Sequence, residues 1–221
     1  PVRRATQRKA KKKPQRQMPS WLRYVIAGLI AFLFLAAFFY FFIRPYSYRW
    51  KPCYGFKAYG VCMPSGFQVH GIDVSHYQGN IDWKMLTQTR QGKFPIHFVF
   101  MKASEGGDYG DKAFITNFDS AKTHGFIRGA YHFYNPKTDP IRQADFFINS
   151  VKLDSGDLPP VLDIEKRGKD ENQLRRDLKL WLDKIEQHYK VKPILYTSYK
   201  FKTRYLNDSV FNSYPYWIAH Y

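Results

Sequence analysis

Residues 158–166 read LPPVLDIEK, and the prediction of the fold rests on this stretch. An apolar run after a proline pair predicts a short buried strand, which ends in Asp163 and Glu165. Side chains two positions apart on a strand point to the same side, about 6.5 to 7 Å apart at the backbone. Paired carboxylates suit glycosidic bond cleavage, in which one acid protonates the leaving oxygen and the other supports the developing positive charge. A charged strand end that meets solvent is the ordinary alternative.

Strand and helix patterns alternate on both sides of this stretch. Apolar runs of strand length occupy residues 69–74, 96–103, 127–134, 160–165, 193–197 and 216–221. Helices are predicted at 80–90, after Asp111, after Asp139, from Asp170 onward and at 200–206, and we interpret Asp82 and Asp111 as helix starts. This repeated alternation predicts an α/β fold with a mostly parallel sheet and helices outside it.

Two closures of such a sheet compete, an open doubly wound sheet and a barrel. No GxGxxG turn follows the first strand, which removes the main support for a dinucleotide-binding fold. Polar residues recur instead where predicted strands end, namely Asp73, Lys102, His132, Asp163 with Glu165, and Tyr196. Barrel active sites are assembled at the carboxyl ends of strands. We therefore predict a TIM-like barrel.

The net charge of +17 is unevenly distributed. Residues 1–68 contain 13 Lys or Arg and no acid, whereas residues 69–221 hold 22 basic and 18 acidic residues. The excess positive charge thus lies mostly in an N-terminal tail, and no nucleic-acid partner is expected. The cluster RKAKKK at 8–13 is interpreted as a determinant of membrane topology, with binding to nucleic acid or anionic lipid as the alternative.

Residues 24–43 read YVIAGLIAFLFLAAFFYFFI and carry no charge. Twenty such residues are long enough to cross a bilayer core of about 30 Å as a helix. Nine basic residues precede the run, so the positive-inside rule predicts a cytoplasmic N-terminus. The run is longer than the apolar core of a usual signal peptide and is followed by Arg44 and Pro45. An anchor is therefore favoured over a cleaved secretory signal.

Residues 44–68 are aromatic, basic and rich in Gly and Pro, and we interpret them as a linker or cap. They contain both cysteines of the chain, Cys53 and Cys62. In an oxidising compartment the two can close a small loop, and two free thiols are the alternative. The chain has no CxxC pair and no His/Cys cluster, so neither a metal nor a cofactor is expected.

Six ordered segments carry a family resemblance: GIDVSHYQGNIDW (71–83), FVFMKASEG (98–106), GAYHFY (129–134), PPVLDIE (159–165), ILYTS (194–198) and YPYWIAHY (214–221). Together they resemble glycoside hydrolase family 25, the lysozyme-type N-acetylmuramidases that cut bacterial peptidoglycan. The resemblance covers residues 69–221 and none of 1–68. It implies an irregular (β/α)5(β)3 barrel and hydrolysis, with retention, of the β-1,4 bond from N-acetylmuramic acid to N-acetylglucosamine.

The resemblance also implies roles for the acids. Glu165 is expected to be the general acid, and Asp163 to orient or stabilise the substrate's acetamido group, which acts as the internal nucleophile. Two acids on one side of a strand are poorly placed to bracket a bond from opposite faces, and substrate assistance supplies the missing nucleophile. Asp73, at the end of the first strand, is expected to tune the pair by charge and hydrogen bonding.

Six further residues are expected to bind the substrate. Four match cleft aromatics, on which the apolar face of a sugar can stack: Tyr131, Tyr196, Trp217 and Tyr221. Tyr196 and Trp217 could equally be core residues. Lys102 and Glu105 either line the site or pair with each other at its rim. His132 lies next to Tyr131 on the opposite side of a strand, so we interpret it as a core histidine.

The family continues beyond the last segment through further strands, which this sequence does not contain. A fragment of a longer gene product is favoured over a natural truncation, because ending within a strand leaves a sheet edge exposed. The predicted organisation is therefore a basic cytoplasmic tail (1–23), a transmembrane helix (24–43), a linker or cap (44–68) and an incomplete hydrolase barrel (69–221).

The leading functional hypothesis is a membrane-anchored muramidase. Its expected partners are peptidoglycan glycan strands and, through the helix, membrane lipid. The expected location is the bacterial inner membrane, with the N-terminus in the cytoplasm and the catalytic domain in the periplasm or outside the cell. A non-catalytic tether that binds the wall and a hydrolase of chitin-like N-acetylhexosamine polymers are the alternatives.

Overall fold

A computed structural model of the chain describes residues 19–44, 56–58, 61–63 and 66–219. The chain divides into two compact units, Pro1–Ser65 and Gly66–Tyr221. The first unit contains an apolar helix, α1 (Ser20–Phe38), which continues as a π-helical turn at Phe39–Ile43. Within these 24 residues an 18-residue window has a mean hydropathy of 2.6, and the helix is long enough to cross a membrane. A signal sequence near an N-terminus has the same properties, so the helix is equally compatible with an anchor or a leader.

The predicted linker contains a short hairpin. Strand β1 (Phe56–Ala58) pairs antiparallel with β2 (Val61–Met63), and Lys57 lies opposite Cys62. Cys53, and with it the loop predicted between the two cysteines, lies outside the described residues.

The second unit is built on a sheet of parallel strands, in which each strand pairs with the next one along the chain. These strands are β3 (His70–Val74), β4 (Ile96–Glu105), β6 (Ile127–Phe133), β7 (Val161–Asp163), β8 (Ile194–Ser198) and β9 (Tyr216–Ala219). A two-residue strand, β5 (Tyr109–Gly110), pairs antiparallel with the end of β4. The predicted parallel α/β architecture is therefore confirmed. Closure into a complete (β/α)5(β)3 barrel remains a prediction.

Helices connect the strands, as the alternation predicted. They are α2 (Trp83–Gln88), α3 (Phe114–Thr123), α4 (Pro140–Ser150), α5 (Glu171–Tyr189) and α6 (Tyr199–Tyr205), with 3-10 turns at His76–Gln78, Thr89–Gln91 and Ser209–Phe211. Three aspartates cap helices as the sequence suggested, because Asp82, Asp139 and Asp170 accept backbone N–H bonds in the first turns of α2, α4 and α5.

The two faces of the sheet have different neighbours. The outer face packs on the helices, and its apolar side chains are almost completely buried: Val99, Met101, Leu162, Ile164 and Leu195. On the inner face, Phe98 and Phe100 fill the space beside Gly71 and Gly129. A Cβ atom would lie 2.1 Å from the Phe98 ring at Gly71 and 2.3 Å from the Phe100 ring at Gly129. Glycine is required at both positions because the rings approach the backbone so closely.

Strand β4 extends two residues beyond its predicted end and contains an irregularity near its carboxyl end. Lys102 pairs with Tyr131 of β6, whereas Ser104 pairs with the next residue, His132, so β4 has one extra residue between them. A residue inserted in this way shifts the alternation of side chains by one position. Lys102 therefore shares the inner face with Tyr131, while Ser104 shares the outer face with His132.

His132 is a core histidine with both ring nitrogens bonded, as expected from the sequence. Its Nδ1 lies 2.8 Å from Ser104 Oγ and its Nε2 lies 3.1 Å from Gln143 Oε1. The ring stacks on Trp181 at 5.7 Å between centroids. Complete burial lowers the pKa of His132 to about 4, so the ring is neutral at physiological pH.

Candidate active site

The acid pair of the 158–166 stretch lies in a pocket of about 220 Å³ at the carboxyl ends of the strands. Seven residues line it: Asp73, Tyr131, Val161, Asp163, Glu165, Tyr196 and Trp217. Six of the nine predicted site residues are therefore brought together from five strands and the segment after β7. Tyr221 lies outside the described residues.

Both acids reach this pocket because alternation continues beyond β7. The predicted strand at 160–165 is shorter in the structure and ends at Asp163, so Glu165 is not part of it. The extended backbone continues for one more residue, since the Ile164 N–H donates to the Tyr196 carbonyl at 2.9 Å. Leu162 and Ile164 are buried on the helix side, and Asp163 and Glu165 line the pocket.

Asp163 is held in an environment that disfavours its charge. The residue is 9% exposed, and its Oδ1 atom is buried without a hydrogen-bond partner among the described residues. Burial, together with the nearby charge of Glu165, raises the pKa of Asp163 to about 8, although Lys102 acts in the opposite direction. Asp163 is therefore mostly protonated at neutral pH, while Glu165 next to it is solvent-exposed.

Asp73 and Tyr131 complete the polar side of the pocket. Partial burial raises the pKa of Asp73 even though the residue keeps solvent contact, and a bond from its own backbone N–H opposes this shift. The pKa of Tyr131 is raised by burial and then by four acids, of which Asp73 and Asp163 contribute most. Tyr131 therefore keeps its hydroxyl proton and can donate a hydrogen bond.

The aromatic side of the pocket is formed by Tyr196 and Trp217. Their ring centroids are 4.9 Å apart in an edge arrangement, and the Trp217 ring also lies 5.1 Å from Phe100. Both side chains are partly buried, line the pocket and pack against the inner core. The two roles considered for them, cleft aromatic and core residue, are thus combined.

Lys102 and Glu105 do not line this pocket. Lys102 Nζ lies 2.6 Å from Glu105 Oε2, and both residues line a neighbouring groove of about 410 Å³ that also contains His76, Tyr77 and Tyr109. Lys102 still acts on the acid pair through its charge, which opposes the raised pKa of Asp163. Of the two possibilities considered, the structure favours pairing with each other at the rim.

The His76–Asp111 pair was missed by the sequence analysis. His76 Nδ1 lies 2.7 Å from Asp111 Oδ2, and the same oxygen accepts the His76 backbone N–H. Asp111 was interpreted as a helix start, but α3 begins at Phe114 after Ala113, so that interpretation is corrected. Burial alone would raise the pKa of Asp111, but its bonds with His76 and Ala113 lower it.

No cluster of three or more His, Cys, Asp or Glu side chains suited to a metal ion occurs within residues 19–44, 56–58, 61–63 and 66–219. The polar groups of the pocket are its carboxyl groups and its tyrosine hydroxyls, and its rings supply apolar surface. A buried protonated acid beside an exposed acid can divide the tasks of proton donation and charge stabilisation.

Comparison with known proteins identifies the family of the second unit. The family model described as "Glycosyl hydrolases family 25" matches residues 72–221. The chain belongs to this family. The resemblance carried by the six sequence segments is thereby confirmed, and family 25 is a family of glycoside hydrolases.

Relatives of the chain include bacterial family members. "Uncharacterized protein YegX" of Escherichia coli K12 is 37% identical over 175 residues, which cover 79% of this chain and 63% of that protein. "Lysozyme M1" of Streptomyces globisporus is 33% identical over 171 residues, with coverage of 69% and 55%. The chain thus spans less than two thirds of the length of these curated relatives.

Solved structures show the same fold for the second unit. The bacterial lysozyme from Streptomyces coelicolor has a TM-score of 0.61 and 32% identity, covering 68% of this chain and 73% of that one. A family 25 glycosyl hydrolase from Bacillus anthracis has a TM-score of 0.61 and 31% identity, covering 67% and 68%.

Proposed function

We propose that the protein hydrolyses peptidoglycan at the β-1,4 bond from N-acetylmuramic acid to N-acetylglucosamine, with retention and with assistance from the substrate's acetamido group. One observation carries this proposal: the buried Oδ1 atom of Asp163 has no hydrogen-bond partner in the part of the chain that the structure describes, and it lies beside the exposed Glu165 in an aromatic-lined pocket. An acetamido N–H is a donor of suitable chemistry for that oxygen. Relatives named lysozyme and "N,O-diacetylmuramidase" support the substrate class.

Substrate binding is expected to change the protonation of Asp163. In the free site, Asp163 holds a proton because its pKa is raised to about 8. A hydrogen bond from the acetamido N–H to Oδ1 favours the charged form of Asp163. Glu165 lines the same pocket and is the acid that we assign to protonation of the leaving oxygen.

The reaction then proceeds in two steps. The acetamido oxygen attacks the anomeric carbon, the glycosidic C–O bond breaks, and Glu165 transfers its proton to the leaving oxygen. The Asp163 carboxylate stabilises the positive charge that develops on the acetamido nitrogen. In the second step Glu165 removes a proton from water. The water attacks the same carbon and breaks its bond to the acetamido oxygen, so two inversions give net retention.

The test uses Glu165→Gln in the full chain, with release of reducing ends from purified peptidoglycan as the readout. Loss of the acid and base should lower the rate by about 100-fold or more. The matched control is Asp145→Asn, an acid-to-amide change on α4 at a residue that pairs with Lys184 outside the pocket. An unchanged rate in Glu165→Gln would overturn the assignment of the acid.

Three measurements test the substrate class, the distinction between hydrolysis and binding alone, and the retention of configuration. Chitin oligomers cleaved as fast as muramic glycans would favour the wider class of N-acetylhexosamine polymers. A protein that binds peptidoglycan and releases no reducing ends would be a wall tether. Proton NMR of the first product should show the β anomer, and an initial α anomer would contradict retention.

We further propose that α1 and its π-helical turn anchor the enzyme in the bacterial inner membrane, with the hydrolase unit in the periplasm or outside the cell. The support is the 24-residue span together with the eight basic residues before it and Arg23 in its first turn. Carbonate washing of membranes, followed by protease treatment of spheroplasts, tests this topology. Release of the protein by carbonate, or protection of the hydrolase unit from external protease, would contradict it.

A further inference from the structure

A second, basic groove of about 860 Å³ lies beside the acid pair. Four cationic residues line it: Lys137, Lys166, Arg167 and Lys169. All four are exposed, and none forms an ion pair with a described acid. We call this feature the basic groove.

The two acids that line the basic groove are engaged elsewhere. Asp170 caps α5 by accepting the N–H groups of Asn172 and Gln173, and Asp177 accepts a bond from the Gln173 side-chain amide. Asp170 also lies at the positive end of α5, where its charge offsets the helix dipole. With four cations and two acids along it, the basic groove carries an excess of positive charge.

The backbone fixes the basic groove next to the catalytic pair. Lys166 follows Glu165 directly, and its Nζ lies 4.9 Å from the centre of the Phe133 ring. Gly168 has a φ of +71°, and a Cβ at this position would lie 3.1 Å from Pro136 Cβ. The loop from Lys166 to Lys169 is thus packed against the segment after β6, at the same end of the sheet as Asp163.

We propose that the basic groove binds the carboxylates of the peptide branch that N-acetylmuramoyl residues carry in peptidoglycan. This proposal rests on the proposed function. A polymer that enters the pocket with its acetamido group on Asp163 brings its side branches alongside the pocket, and an anionic branch complements unpaired cations. A neutral chitin chain has no group that uses these charges. The basic groove thus distinguishes muramic glycans that bear peptides from glycans that lack them.

The experiment measures binding in a chain that cannot cut its ligand. Full-length Glu165→Gln protein is titrated with muramic glycans that carry peptides and with the same glycans after an amidase has removed the peptides, which leaves a single lactyl carboxylate on each muramoyl residue. Exposed charge pairs contribute little each because water screens them, so the peptide-bearing glycan should bind roughly three- to tenfold more tightly. Added salt should reduce this difference because it screens exposed charges.

The discriminating variant adds Arg167→Gln and Lys169→Gln and should bring the two dissociation constants close together. Its control adds Lys84→Gln and Lys152→Gln, which removes two exposed cations that lie outside the pocket and the basic groove, and should keep the difference. Equal affinities in the Glu165→Gln protein, or a preserved difference in the groove variant, would overturn the proposal.

A hydrolysis assay and a vesicle competition distinguish the peptide-binding proposal from the proposed function and from lipid binding. Peptidoglycan hydrolysis is measured independently on the chain with Glu165 intact, so its absence would refute the proposed function while the binding comparison still decides the role of the basic groove. Anionic phosphatidylglycerol vesicles provide the other arm. If the groove substitutions weaken competition by these vesicles and leave the glycan preference intact, the basic groove is a lipid site and the proposal is wrong.

Discussion

Replacing Asp163 by Asn should stabilise the protein while it disables the site. The substitution keeps the shape of the side chain and removes a charge that its surroundings disfavour. Asp163 is 9% exposed, and its Oδ1 has no hydrogen-bond partner among the described residues. The folded protein therefore contains an acid whose charged form is destabilised by its surroundings.

The magnitude follows from the shifted pKa. Asp163 titrates at about 8 in the folded state, whereas an unfolded Asp titrates near 3.9. The folded state binds the proton more tightly, so its stability is full below about pH 4 and declines as pH rises toward 8. The decline amounts to about 4 kcal/mol at pH 7 and about 1 to 2 kcal/mol at pH 5. Asn does not titrate, so the variant should gain stability by up to these amounts.

Urea unfolding of the full chain in detergent, followed by tryptophan fluorescence, measures this gain at pH 5 and pH 7. The advantage of Asp163→Asn should be larger at pH 7, and its hydrolysis of peptidoglycan should fall by at least about tenfold. Asp145→Asn, at a half-exposed site on α4, should show no comparable pH-dependent gain. A variant that is less stable than the original at both pH values, or equally stabilised at both, would refute the reasoning.

Two other substitutions test the packing around the site. Gly129→Ala should cost about 1 to 3 kcal/mol and lower activity, because its Cβ would push the Phe100 ring toward Trp217; unfolding curves and kcat/KM measure both effects. The pKa of about 4 for His132 predicts a loss of about 3 kcal/mol as pH falls from 6.5 to 4, in addition to any change from Asp163. Replacing His132 by Gln should remove this acid-dependent loss, and an unchanged pH profile of stability would contradict the assignment.

Local patterns in the sequence predicted much of the second unit. The strand and helix order needs only the period of apolar residues and the capping preference of Asp, and Asp82, Asp139 and Asp170 cap helices in the structure. The grouping of Asp163 with Glu165 needs only the two-residue period of an extended chain. These features depend on neighbours in sequence.

Features that depend on partners far apart in sequence were not predicted. Asp111 carries the signature of a helix cap, yet it binds His76, which is 35 residues away. Nothing local to either residue marks that pairing. The extra residue in β4 is similarly invisible, because the run from 96 to 103 is apolar on both faces and alternation cannot reveal a shift within it. The basic groove joins residues on two loops, and only the fold brings Lys137 beside Lys169.

The end of strand β7 gives the two acids unequal exposure to solvent. Asp163 is the last residue of the ladder and is enclosed by its neighbours, whereas Glu165 follows the final backbone bond, made by Ile164, and faces solvent. One carboxyl is thus enclosed by the protein, and the other is open to water. In the proposed reaction Glu165 gives a proton to the leaving oxygen and later takes one from water, and its exposure gives that water direct access to it.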